Sequence, residues 1–495
     1  RRRAGGLAVS AGPVRSGSEA AVLAALAALA APGCNDDATV RPVIESPPGD
    51  RLFAALDTIE LSVVVDGDPE PLQSKIFRRG ETLELPGVPY GENLVVHMLG
   101  RVNNSEVAYG RTCRFALRAG ESPPSPRLYF ARTVRWGLTE TPPNPVRIGG
   151  AALASRHGGA LYFGGVDAAG ATVLGADRFD PLTGRCVERV RLAPRRAAAA
   201  ASLGDGRGLF VGGVDGEDQA VEHIDLISID AAADQSVEPV PAEQLSSRTA
   251  PALATLSDGR VVAIGGLDGN GVPFRFVHEI ASDGGGVTIR ELMRAELKYP
   301  RRGHTVTRLS DDLGAPVLIA GGLDPTGTLV PAAELYRPLA EQIAPDTEFA
   351  RSMLVPRWDH AAVRLPDGSV VFLGGRSAMG PTRSVEVFTI EAGFVIQGLL
   401  PLGSGFTEFS ATPLPDGRVL IAGGRDLAGN AVDTALIVRI DPFGGGIDII
   451  NTDRLSTPRA GHQATLLCDG TVLLVGGTTE PAPAERYNPP SSGRR

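Results

Sequence analysis

Seven Gly-Gly pairs recur through the C-terminal two thirds of this 495-residue chain: Gly164-Gly165, Gly212-Gly213, Gly265-Gly266, Gly321-Gly322, Gly374-Gly375, Gly423-Gly424 and Gly476-Gly477. Successive steps are 48, 53, 56, 53, 49 and 53 residues. A unit of about 50 residues that repeats this often is one supersecondary element stacked on copies of itself, because a single unit of that size cannot bury its own apolar face.

Each pair follows a short, continuous apolar run, such as Val371-Phe372-Leu373 or Val472-Leu473-Leu474-Val475. Unbroken apolar runs of this length belong to strands covered on both faces. An Asp-Gly turn precedes five of the runs, at Asp205, Asp258, Asp367, Asp416 and Asp469, and predicts a tight hairpin of type I′. Ten residues before those turns stands a start mark, Arg147, Arg195, Arg248, Arg301, Arg357 and Arg459 in six repeats and Phe406 in the remaining one. It lies 17 residues before the Gly-Gly pair except at Arg301, where an insertion around Asp311–Gly314 makes it 20. Beyond the pair, an acid-x-aromatic step appears as Asp177/Phe179, Glu334/Tyr336, Glu386/Phe388 and Glu485/Tyr487. A period near 50 with four short strands per unit predicts an all-β propeller of seven blades.

With these marks in place, the chain resembles the kelch-repeat β-propellers over residues 132–490, most closely in Pro356-Arg357-Trp358-Asp359-His360 and Pro458-Arg459-Ala460-Gly461-His462. The last repeat lacks a fourth strand after Tyr487. Kelch repeats often carry Trp on that strand, so Thr133–Leu138, with Trp136, is expected to complete the ring and remove its open edge.

Residues 38–131 show strand patterning without the kelch marks, in Ile59–Val65, Leu83–Leu85, Asn93–Leu99 and Thr112–Leu117. They are expected to form a small Ig-like β-sandwich, tied to the propeller by a stiff linker at Glu121–Pro126. Residues 1–37 read as an export segment: Ala20–Ala31 is an apolar run of 12 residues, too short for a membrane span, and Pro32-Gly33-Cys34 resembles a bacterial lipoprotein box with Cys34 as the lipidated residue. Residues 491–495 form a polar tail. Export to the cell envelope is expected, with membrane association only through that anchor, and a monomer. Cys113, Cys186 and Cys468 match no zinc spacing and are expected as free buried thiols.

A formal charge of −9 offers no field for nucleic acid. The face that carries the loops between the second and third strands holds the variable sequence. Five acids follow the Gly-Gly pairs there, Asp167, Asp215, Asp268, Asp324 and Asp426, with Arg376 and Thr478 replacing them in the other two repeats; turn capping is the expected role. His304, His360 and His462 stand three residues after the repeat arginine, either as kelch structural residues or as a metal or acid–base cluster. The repeat arginines are expected to pair between blades. The residues that break the repeat single out a binding site: Trp358, Asp359, Arg376, Arg425 and Phe406. No nucleophile–base pair appears, and no cofactor is expected. The kelch resemblance leaves the activity open; without such a pair or a zinc spacing, the expected function is a non-catalytic module that binds protein or carbohydrate at the loop face. The alternative is a kelch-type copper radical oxidase, which needs a Cys–Tyr crosslink with His ligands on one face, or a kelch-type sugar isomerase.

Overall fold

The computed structural model describes residues 37–491 except 140–145, 182, 191, 229–237, 242–244, 246–247, 346–347, 402 and 442–445. The expected export segment, apart from Asp37, lies outside the described residues, and so does Cys34.

The first domain is a two-layer β-sandwich. Its main sheet runs in the order Ala131–Arg132, Ser105–Arg111, Gly91–Val102, Thr58–Val65, Gln73–Arg78, with Phe115–Leu117 beside Gly91–Val102. Strand alternation sends Ile59, Leu61 and Val63 to the inside, where they meet Phe77, Met98, Leu128 and Phe130. Two short pairs share that core: Asp37–Val40 with Leu85–Pro89, and Val43–Glu45 in parallel with Arg127–Tyr129. The expected linker is therefore part of this domain. After Pro126 the chain returns to add two more strands, and the passage to the propeller is only Thr133-Val134.

Among the described residues, seven antiparallel sheets of four or five strands follow, one for each Gly-Gly repeat. They are the blades, numbered here in repeat order. Blade one consists of Ala151–Ala154, Ala160–Phe163, Ala176–Asp180 and Arg185–Val190. In blade seven, Arg135–Leu138 pairs with Glu485–Asn488, which places Trp136 opposite Tyr487. The first strands of consecutive blades adjoin one another around a closed ring, including blade seven to blade one.

Second strands such as Val370–Leu373 and Val419–Ala422 are buried at every position. The reason is packing between blades. Seven apolar clusters each join two consecutive blades, the last placing Leu473 and Val475 of blade seven against Ala160, Tyr162 and Phe179 of blade one. Each buried Val, Leu, Ile or Phe among them contributes about 1.5–3 kcal/mol, so the ring is held by its blade interfaces.

The Gly-Gly pairs sit where blades touch most closely. The amide of each second glycine donates to the carbonyl of the start-mark residue in the next blade, from Gly165 to Arg195 (3.0 Å) around to Gly477 with Arg147 (2.6 Å). Both glycines have positive φ in all seven repeats. A Cβ on Gly321 would lie 2.5 Å from the Arg357 carbonyl oxygen, so only glycine permits the approach. The ring bond uses the backbone of the start mark, which is why Phe406 can stand in that position.

The Asp-Gly hairpins differ from the type I′ expectation. Only the glycine has positive φ, as at Gly206 (φ 89°), and the Gly206 amide bonds back to the Leu203 carbonyl. Leu203 and Arg207 close a three-residue loop, a type I turn followed by a glycine bulge. The aspartate keeps its negative φ because its carboxylate accepts the amide two residues on, as Asp205 does from Arg207.

The cysteine expectation is corrected in part. Cys186 is free and buried, but Cys113 and Cys468 form a disulfide with Cα atoms 5.0 Å apart, across 355 residues of sequence. The sandwich docks on the Asp-Gly side of the ring, which brings Cys113 to the hairpin of blade seven. Around it, the Arg486 guanidinium stacks 3.8 Å from the Tyr129 ring centroid, and the Asn488 side-chain amide donates to the Tyr109 and Ala131 carbonyls.

Candidate functional site at the channel mouth

With the sandwich on the Asp-Gly side, the axial end of the ring on the opposite, loop-bearing side is called here the channel mouth. Two residues after each start mark the chain turns into its innermost strand. This slot is Gly149, Ala197, Ala250, Gly303, Asp359, Glu408 and Gly461 in blades one to seven, and φ is positive at all seven, between 47° and 75°. Backbone bonds link the slot across blades: the amides of Gly149, Ala250, Asp359 and Gly461 donate to the carbonyls of Gly461, Ala197, Gly303 and Glu408. The slot is thus an axial ring that suits glycine. Blades five and six place acids there, at a backbone cost of about 1–3 kcal/mol each.

The surroundings of these two acids also depart from the repeat. The residue after Gly-Gly pairs through its backbone with the residue after the start mark. In blades one to four it is Val166, Val214, Leu267 and Leu323; in blades five and six it is Arg376, opposite Trp358, and Arg425, opposite Thr407. Arg376 therefore occupies an apolar slot, not the aspartate slot the repeat alignment gave it. Ser377 holds the aspartate position and accepts the Met379 amide.

Trp358 is half-buried against Gly303, with the Arg302 guanidinium 5.7 Å from its ring centroid. The Arg425 Nε donates to Glu408 at 2.9 Å. Solvent reaches Asp359, yet the protein around the mouth displaces enough water to raise its carboxyl above the usual range. The Glu408 charge adds to that rise, while Arg376 and Arg302 oppose it. The structure thus brings Trp358, Asp359, Arg376 and Arg425 together and adds Glu408 and Arg302, which sequence reasoning missed. Lining up the slot two residues after the start mark would have found Glu408.

Phe406 does not belong to this group. It is 1% exposed and packs in the apolar interface of blades five and six. Its place is explained by the repeat arginines, which pair within their own blade, not between blades. Arg357 donates to the Gly374 carbonyl (3.1 Å) and to Glu386 (2.6 Å), and Arg459 to Gly476 (2.8 Å) and Glu485 (3.0 Å). Arg147, Arg195 and Arg301 pair likewise with Asp177, Asp225 and Glu334, while Arg248 meets His278. In blade six the acid position, opposite Ile421, is Leu436. Phe406 and Leu436 are an apolar replacement for the whole ion pair.

The histidines lie in separate blade interfaces. The His360 ring packs on Gly321 of blade four with Nε2 3.0 Å from the Thr305 hydroxyl, and His462 packs on Gly423 of blade six with Nε2 2.8 Å from the Ser410 hydroxyl. His304 packs on Gly265 in the same way, and Phe409 fills the slot against Gly374. Burial, reinforced by the neighbouring repeat arginine, pulls each of the three imidazoles down to about 3. Among the described residues, no three His, Cys, Asp or Glu side chains converge as a metal site. The five acids after Gly-Gly each accept two backbone amides, as Asp324 does from Thr326 and Thr328 (2.8 and 2.9 Å), which is turn capping.

No family model and no curated protein matches the sequence. Two of the solved structures that resemble the fold illustrate it. One is titled "Structure of YjhT", with 14% identity and a TM-score of 0.46, covering 63% of this chain and 99% of that one. The other is described as a novel fungal alcohol oxidase with catalytic diversity among the AA5 family, in complex with copper; it has 18% identity and a TM-score of 0.53, covering 72% of this chain and 76% of that one. Likeness at this identity carries the architecture and not the activity. Together with the four-stranded sheets and the Gly-Gly ring, the second of these likenesses shows a kelch-type β-propeller fold.

Proposed function

We propose that this protein is an exported binding module that grips a protein or a carbohydrate at the channel mouth, over blades five and six, without catalysing a reaction. One observation carries the reading. The axial slot holds glycine or alanine in five blades, yet the adjacent blades five and six place the acids Asp359 and Glu408 there and surround them with Trp358, Arg376 and Arg425. A half-buried indole beside charged groups offers a stacking face with hydrogen bonds at its edge, which suits a sugar ring or a polar protein loop. The Cys113–Cys468 disulfide supports export, because such bonds persist in oxidising compartments.

The test is binding of the purified full chain to glycan arrays and to candidate surface proteins, with Trp358→Ala and Asp359→Asn beside it. Loss of at least tenfold in affinity in both variants, with unchanged melting, is expected. Wild-type affinity in both would refute this site. Stoichiometric copper by mass spectrometry, together with alcohol oxidation by the purified protein, would establish the oxidase reading instead.

A further inference from the structure

The sandwich has a polar face as well as a core face, and part of it is roofed. On its central strands Ser62, Val64 and Tyr109 point away from the core, yet they are only 1%, 5% and 6% exposed. Pro415, from the hairpin of blade six, and Ser491, just beyond the last strand, line the same hollow as these three. The result is a cleft of about 480 Å³ at the junction of the two domains. Small-ligand sites prefer such junctions and fall in this size range.

The lining has a definite chemical character. Every carboxylate in it is already engaged. Glu60 holds Arg101 at 2.7 Å, Asp66 holds Arg111 at 3.0 Å and Arg114 at 2.5 Å, Glu106 accepts the Ser491 hydroxyl at 2.6 Å, and Asp68 caps the Glu70 amide. The Tyr109 hydroxyl lies 2.6 Å from His97 Nδ1, and Leu99 supplies an apolar floor between them and Arg101. A small ion would have to break pairs already made. An uncharged ligand rich in hydroxyls can donate to the remaining carboxylate lone pairs, accept from the guanidinium edges and rest its carbon skeleton on Leu99.

We propose that this cleft is a second ligand site, which takes an uncharged saccharide of one or two rings. It lies on the side of the ring opposite the channel mouth, so the two sites are independent.

The full chain is screened on an array of neutral, sulfated and sialylated glycans, and hits are titrated calorimetrically. Leu99→Trp fills the cleft, Tyr109→Phe removes one hydroxyl without changing shape, and Trp358→Ala alters only the channel mouth. Thermal melts confirm that each variant is folded. The proposal expects a neutral glycan to bind, binding to vanish in Leu99→Trp and to weaken roughly tenfold in Tyr109→Phe, and Trp358→Ala to leave it unchanged. Three results overturn it: no neutral glycan bound by the folded protein, preference for sulfated or sialylated glycans, or binding indifferent to both cleft variants. Loss in Trp358→Ala alone overturns the cleft and leaves the channel-mouth reading standing.

Discussion

His304, His360 and His462 should make the propeller acid-sensitive, by an amount the structure sets. Burial holds each imidazole at about 3 in the fold, against about 6.5 in an unfolded chain. The folded pKa is the lower one, so between those values the unfolded chain binds more protons. The stability that neutral burial contributes is complete above pH 6.5 and is lost as pH falls toward 3. Between pH 7 and pH 5 the loss is about 2 kcal/mol per histidine, or about 6 kcal/mol for three. Unfolding entropy for a chain of this length is near 1 kcal/mol per degree, so the melting temperature should fall by roughly 6 °C through these groups. Blade six supplies the control, because Phe409 occupies the same slot against Gly374. The variant His304→Phe/His360→Phe/His462→Phe should melt near wild type at pH 7, less the hydrogen bonds to Thr305 and Ser410. It should lose roughly 6 °C less than wild type at pH 5. Differential scanning calorimetry of both proteins at the two pH values measures this. Equal acid losses would refute the account, since the histidines would then already be hydrated or charged in the fold.

Other predictions follow from the same geometry. Arg357→Phe should cost about 3–5 kcal/mol by leaving Glu386 without its cation, and adding Glu386→Leu should recover part of it, as Phe406 and Leu436 do in blade six; a double-mutant cycle by denaturant melts with no coupling would refute the pairing. Cys113→Ser should lower stability by about 2–4 kcal/mol and abolish the mobility difference between reduced and non-reduced gels. Gly321→Ala, whose Cβ would meet the Arg357 carbonyl and the His360 ring at a φ of 70°, should cost about 2–4 kcal/mol and show as a lowered melting temperature.

What the sequence determined is local and periodic. Turn chemistry depends on a few adjacent residues, so Asp-Gly marked the hairpins and Gly-Gly marked the strand ends. The unbroken apolar runs between them required cover on both faces, and a period near 50 left little besides a ring of small sheets. The residues that broke the repeat were visible for the same reason, as Trp358 and Asp359 were. Tertiary structure decided everything that depends on which blade faces which. Cys113 meets Cys468 because the sandwich docks on the hairpin side of blade seven, which no spacing encodes. Phe406 left the site for the core because its partner, Leu436, had changed with it, and the two are apart in sequence. Glu408 joined Asp359 because left-handed backbone places one residue of every blade on the axis, and only the closed ring makes those residues neighbours.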